Sequence, residues 1–151
     1  MADQEKDTAA RRGWMGLLAR APEAALMALW DRVEERPTFD WLRAPETGGV
    51  MVRGRAGGTG APFNLGEMTV TRCALALGDG TVGHAYVQGR SRAKAEAAAL
   101  IDALMQTAAA DQIRALVLDP LAAQMAERAE TRAARAAATK VEFFTLVRGE
   151  D

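Results

Sequence analysis

A chain of 151 residues, 49% of them hydrophobic, is long enough for one domain with a substantial core and too apolar for disorder over most of its length. Nineteen basic residues against 20 acidic ones leave a net charge of −1, which gives no general attraction to nucleic acid or to a membrane surface. A single cysteine and a single histidine exclude an internal disulfide and a structural zinc site, which needs about four Cys/His ligands.

The first residues, MADQEKDTAARR, carry no apolar segment behind their charges, so they are not a secretory signal. No apolar run approaches the roughly 20 residues needed to cross a bilayer. Together these features predict a cytoplasmic protein: residues 1–10 as a flexible polar tail, 11–148 as a single α+β domain. With Asp7-Thr8 as its N-cap, a first helix places Trp14, Leu17, Leu18 and Ala21 at i, i+3, i+4, i+7 spacing. Pro22 suits the first position of a second helix, in which Leu26, Leu29, Trp30 and Val33 repeat the pattern. Two adjacent amphipathic helices raise the helix-turn-helix motif, but the second has no basic face, so both are assigned to packing.

Pro37 and Pro45 punctuate an irregular connection with a short extended piece around Phe39–Arg43. Gly48-Gly49 opens a strand, Val50–Arg55, with Val50 and Val52 on one face and Met51, Arg53 and Arg55 on the other. A loop, Ala56–Gly66, leads into a second strand, Glu67–Leu77. Gly78-Asp79-Gly80-Thr81 is a hairpin signal, and the third strand is Val82–Arg90. A two-residue turn sets Cys73, Leu75 and Leu77 on the same face as Val82, His84 and Tyr86. It leaves Ala74, Ala76, Gly83, Ala85 and Gly89 on a face open to close helix approach. A three-residue turn flips one strand against the other, and the sequence leaves both open.

Ser91 caps a third helix through Ala97, Leu100, Ile101, Leu104 and Ala108, and a further helix carries Ile113, Leu116 and Val117. Asp119-Pro120 breaks it and starts another, an Ala- and Arg-rich helix to about Ala138 whose weak apolar stripe points to an exposed or partner-covered element. Val141–Val147 reads as a strand apolar on both sides. The expected fold is therefore α+β: an antiparallel sheet of about four strands, with an N-terminal helical hairpin and C-terminal helices packed on it.

Chemistry concentrates in the glycine-rich segment. Gly57, Gly58 and Gly60 bracket Thr59, and Pro62-Phe63-Asn64 leads to Gly66-Glu67. A nest of backbone N–H groups supported by Arg53 and Arg55 would hold an anion, whereas a tight crossover loop needs the same glycines for positive φ. The Gly-Lys-Ser/Thr of a P-loop is missing, and a strand rather than a helix follows, unlike a dinucleotide fingerprint. Cys73 and His84 form a conceivable dyad with nothing evident to orient the histidine. Glu46 and Glu67, which flank the segment, form a conceivable carboxylate pair. His84, Tyr86 and Gln88 form a polar line suited to a partner as much as to a site.

Trp14-Met15, Leu18-Ala19 and Ala21 resemble the opening helix of a known family. Leu42-Arg43, Pro45-Glu46-Thr47-Gly48 and Val50-Met51-Val52-Arg53-Gly54-Arg55 resemble its first block. The run from Gly57 to Cys73 resembles its hallmark, and Gly83-His84-Ala85-Tyr86-Val87 with Gly89-Arg90 resembles its third block. The family is the small G subunit of the bacterial carbon–phosphorus lyase core complex. The resemblance implies a partner subunit beside the H, I and J subunits, closest to I, in phosphonate breakdown. In that complex the I subunit, with G, H and an accessory ATP-binding-cassette-like protein, displaces adenine from ATP by a phosphonate. The J subunit, an iron–sulfur radical S-adenosylmethionine enzyme, later cleaves the carbon–phosphorus bond. The resemblance assigns no catalytic residue to the G subunit and no cofactor to this chain alone, while the complex uses ATP. The ligand or partner-interface candidates are Arg53, Arg55, Gly57, Gly58, Thr59, Gly60, Asn64, Glu67, Arg72, His84 and Tyr86. A neighbouring subunit is favoured over substrate as their contact.

Overall fold

The computed structural model describes residues 1–148, with side chains described as far as Lys140. In chain order the elements are α1 (Ala2–Arg20), α2 (Glu23–Trp30), β1 (Phe39–Arg55), β2 (Pro62–Leu77), β3 (Val82–Gln88), α3 (Arg92–Leu104), α4 (Ala110–Ile113) and α5 (Asp119–Arg148). The fold is α+β, with one antiparallel sheet in the order β1-β2-β3 and helices before and after it.

Residues 2–10 of the stretch expected as a flexible polar tail are wound into α1, where they stay exposed. Asp3 and Glu5 in the first turn favour the positive end of the helix dipole, which explains a helix start earlier than Asp7-Thr8. Pro22 holds Ala21 in an extended conformation (ψ 139°) and so ends α1. Of the expected apolar stripe, Leu18 and Ala21 are buried, and Trp14 and Leu17 pack against the core from its margin. All four stripe residues of the second helix region, Leu26, Leu29, Trp30 and Val33, are buried.

Strand β1 begins at Phe39, well before the expected Val50, because the proline-punctuated connection is itself extended. Its register against β2 shifts between Arg43 and Glu46, the interval holding Pro45. An outer strand tolerates a proline in such an irregularity, since no second ladder is lost there. Strand β2 likewise begins at Pro62 rather than Glu67, which shortens the glycine-rich loop to 56–61.

The β2–β3 hairpin settles the register that the sequence left open. Leu77 N–H donates to the Thr81 carbonyl (2.9 Å), and Gly80 N–H donates to the Leu77 carbonyl (2.9 Å). The loop is therefore three residues long, with Gly80 at φ +89° completing it. Thr81 N–H donates to Asp79 Oδ1 (2.9 Å), and this bond holds the exposed Asp79 carboxyl below its usual range. With Ala76 opposite Val82 and Ala74 opposite His84, the strands are flipped relative to the two-residue arrangement. Cys73, Leu75 and Leu77 share their face with Gly83, Ala85 and Val87, and this is the face that α3 covers.

Helix α3 is the centre of the core. Ser91 caps it as expected, its Oγ accepting from Lys94 N–H (3.0 Å), and its alanines are small enough to bring the helix against the sheet. At Gly83 a Cβ would collide with the Ala99 carbonyl and come within 2.8 Å of the Ala103 Cβ, so only glycine fits the contact. After α4 the chain makes one wide turn, in which Asp119 N–H donates back to the Arg114 carbonyl. Pro120 has no N–H to give, and the wider turn accommodates it where a sharp break was expected. Helix α5 then runs to Arg148, so residues 141–147, expected as a fourth strand, continue a helix and the sheet of the described residues has three strands. The apolar run there is no longer than a strand, but the Ala-rich helix before it has strong propensity and no stop signal, so the helix propagates through it. Residues 126–140 of α5 are exposed on all sides, as its weak stripe implied.

Candidate functional site

Strands β1 and β2 are about twice as long as β3, which pairs with β2 only between Val70 and Ala76. Beyond that point residues 48–69 form a two-stranded ribbon of roughly 25 Å, at about 3.3 Å per residue, on which no residue is buried. Alternation gives the ribbon two different faces. Val50, Val52 and Met68 fall on one, where Phe63 lies opposite Gly54. Leu65, extruded by the register shift at Val52/Arg53, lies where a Cβ on Gly54 would meet it within 2.8 Å. Phe63 and Leu65 are 46% and 62% exposed. The other face carries Met51, Arg53 and Arg55, with Asn64 and Glu67 opposite them, as the alternation of the first strand predicted.

The glycine-rich tip closes this ribbon. Ala56–Gly58 form a single helical turn with Gly57 at φ +62° and Gly58 at φ +80°, conformations that an L side chain resists. Thr59 N–H and Gly60 N–H (2.8 Å) both donate to the Ala56 carbonyl, so two of the four amides available to an anion nest are turned onto the tip itself. Gly60 is packed against Ala56, and open space surrounds Gly57 and Gly58. Arg53 and Arg55 are exposed and form no ion pair among the described residues.

The structure therefore gathers Arg53, Arg55, Gly57, Gly58, Thr59, Gly60, Asn64 and Glu67 on the ribbon, and sets Arg72, His84 and Tyr86 on the sheet body. Arg72 lies opposite both Tyr86 and Glu46, with the Arg72 guanidinium 3.5 Å from the Glu46 carboxylate. By register these three belong to the face away from α3, opposite to that of Arg53 and Arg55. Cys73 and His84 are not brought together. The Cys73 thiol is buried against the Ala95 carbonyl (3.3 Å), and burial and Glu96 push its pKa up to about 11, whereas His84 is exposed on the opposite face. Glu46 and Glu67 lie well apart along the ribbon on opposite faces.

Two features escaped the sequence. The first is Asp102, 0% exposed in the middle of α3, whose carboxylate accepts from Arg11 Nε (3.1 Å) and Nη2 (2.8 Å), Trp14 Nε1 (2.8 Å) and His84 N–H (2.9 Å). One side chain thus ties α1, α3 and β3 together. Its hydrogen bond and charge raise the Arg11 pKa further above its ordinary value. A charged residue amid Leu100-Ile101 and Ala103-Leu104 was the available signal. The second is the exposed apolar pair Phe63 and Leu65, hidden in a stretch whose glycines and proline read as a loop as far as Gly66.

Among the described residues no group of three or more His, Cys, Asp or Glu side chains comes together, and no helix is long and apolar enough to cross a membrane. A compact helix-on-sheet body with a long ribbon of uncovered apolar side chains is the anatomy of an assembly subunit, built to be completed by another surface. The family model for phosphonate metabolism protein PhnG matches residues 9–149, and the chain belongs to that family. It is 46% identical over 143 residues to the alpha-D-ribose 1-methylphosphonate 5-triphosphate synthase subunit PhnG of Rhizobium meliloti (strain 1021), covering 95% of this chain and 92% of that protein.

Proposed function

We propose that this chain is the G subunit of a cytoplasmic alpha-D-ribose 1-methylphosphonate 5-triphosphate synthase. It supports the displacement of adenine from ATP by methylphosphonate, without catalysing that step alone. Its partners are the H, I and J subunits, with the I subunit as the one the ribbon engages. The observation that carries the proposal is the ribbon itself: Phe63 and Leu65 stand about half in water on a two-stranded arm, and covering the rest of each contributes about 1 kcal/mol. Such an arm is costly in the isolated chain and useful only against a partner. Membership of the family and the 46% identity to a synthase subunit support reading that partner as another subunit of such a synthase.

The test is co-expression of the I subunit with and without this chain, followed by assay of adenine release. An I subunit that is soluble and fully active alone overturns the proposal. Phe63→Ser with Leu65→Ser should abolish co-purification while leaving the urea unfolding midpoint of the isolated chain unchanged. A second role is favoured by one observation, the two unpaired arginines on the ribbon's other face. In it Arg53, Arg55 and the backbone of Gly57 and Gly58 contact phosphate or phosphonate oxygens in the assembled complex.

A further inference from the structure

Helix α5 changes character along one side. Leu121, Met125, Arg128, Arg132 and Arg135 follow one another at intervals of four, three, four and three residues, which keeps them on a single side of the helix. Leu121 is fully buried and Met125 packs against the core, so this is the side turned towards the body. Beyond Met125 the helix is exposed, and the same side goes on as three guanidinium groups. Arg20, in the last turn of α1, joins them across a cleft of about 730 Å³ that also touches Pro22. All four arginines are exposed, and none forms an ion pair among the described residues. Helical neighbours do not compensate them. No carboxylate stands three or four residues from Arg128, Arg132 or Arg135, whereas Arg128 and Arg132 repel each other at i, i+4 and Arg132 and Arg135 at i, i+3. Glu127 borders the cleft but forms no ion pair among the described residues.

We infer that this arginine row is a docking surface for an acidic segment of another subunit of the synthase; the inference rests on the subunit role proposed above. Charge selects the occupant. Guanidinium groups without a partner in their own chain meet carboxylates in the bidentate geometry that arginine favours. A basic or neutral segment leaves their mutual repulsion in place, and α5 of a second copy brings the same row and adds to it. Length favours a polypeptide over a small anion. From Arg128 to Arg135 the row runs about 10 Å at 1.5 Å per residue, and carboxylates one turn apart on a single segment meet it along that whole length. The row is borne by α5 and α1 rather than by the ribbon, so it is a second point of attachment, electrostatic where the ribbon's is apolar.

The test follows assembly of the full chain with the H, I and J subunits across a salt series. Arg128→Glu with Arg132→Glu should weaken assembly at least about tenfold at about 0.1 M salt, where charges act over about 10 Å. At about 1 M salt, where that reach falls to about 3 Å, the native and variant chains should converge. Phe63→Ser with Leu65→Ser should stay defective at both. Arg128→Ala with Arg132→Ala removes a like-charge pair from the isolated helix, so it should weaken assembly by a smaller factor with no fall in the urea midpoint, and it decides the matter if the reversed variant folds poorly. Native-like assembly of these arginine variants, or a defect that does not fade with salt, overturns the inference and leaves the ribbon's role intact. Loss of inorganic triphosphate binding by the isolated chain, with assembly unchanged, overturns it in favour of a small polyanion. A salt-sensitive dimer of the isolated chain that the reversal abolishes overturns it in favour of a second copy. Failure of the native chain to assemble at all overturns both this inference and the subunit role.

Discussion

β1 and β2 pass through two environments, and the same strands behave differently in each. Between Thr71 and Leu77, β2 has β3 on one side, β1 on the other and α3 across one face, and its inward residues Thr71, Cys73, Leu75 and Leu77 are buried. Between Pro62 and Met68 the strand has only β1, and even Phe63 and Leu65 remain about half in water. A two-stranded ribbon is marginal by itself. Here the body anchors it, and on the proposed reading a partner completes it. If the proposal holds, stability resides in the body and recognition on the ribbon, and substitutions in the two regions should have separable consequences.

The sharpest way to break that separation is at Asp102. Asp102→Ala leaves the half-buried Arg11 guanidinium, an indole N–H and the His84 amide without their acceptor. It should cost about 2–4 kcal/mol, chiefly from leaving two N–H donors unpaired at about 1–3 kcal/mol each, as a large drop in the urea midpoint. A loss below about 1 kcal/mol would mean that α1 is held by other contacts. Gly83→Ala should follow, at about 1–3 kcal/mol for overpacking, because the new methyl meets the Ala99 carbonyl and backbone cannot yield as a side chain would.

On the ribbon the expected order reverses. Phe63→Ser with Leu65→Ser should change the stability of the isolated chain by less than about 0.5 kcal/mol, yet remove it from the complex. A stability loss comparable to that of Gly83→Ala would mean the ribbon packs on its own body. Arg53→Ala with Arg55→Ala should leave both stability and assembly unchanged. Reduced adenine release from an intact complex would then assign these arginines to phosphate or phosphonate contact.

The smallest effect concerns Cys73. With its folded pKa raised to about 11 from an ordinary 9.0, the thiol contributes stability that is fully present below pH 9 and is lost as pH rises towards 11. The native chain should resist alkylation at pH 8 and react only once unfolded. Rapid labelling of the native chain would contradict the burial of Cys73 behind α3.

Much of the fold was legible because it rests on local signals. The spacing of Leu26, Leu29 and Trp30, the cap at Ser91 and the alternation Val50–Arg55 depend on residues close in sequence, and each appears in the structure as its pattern implied, whereas Val33 is buried but lies beyond the end of α2 at Trp30. Strand starts were misjudged where prolines and glycines look like punctuation. Pro45 and Pro62 sit on outer-strand and ribbon positions, where a missing N–H costs little, so strands run through them. The expected strand at 141–147 failed for the opposite reason, since a favourable helix with nothing to stop it extends through a short apolar run.

The candidate site divides along the same line. The sequence by itself determined the amphipathic helices, the presence of a glycine-rich hairpin carrying Arg53 and Arg55, and, through residues spread from Trp14 to Arg90, the family. Only the tertiary structure decided the rest. A three-residue turn at Gly80, one residue longer than the alternative, put Cys73 and His84 on opposite faces and ended any dyad. The length of β3 decided where the sheet stops and the ribbon begins, and so left Phe63 and Leu65 uncovered. The meeting of Arg11, Trp14 and His84 on Asp102, which no spacing encodes, fixed α1 along the outer edge of β3. The physical reason is common to all three: alternation and periodicity specify which residues share a face, while register, strand length and long-range pairing specify what that face meets.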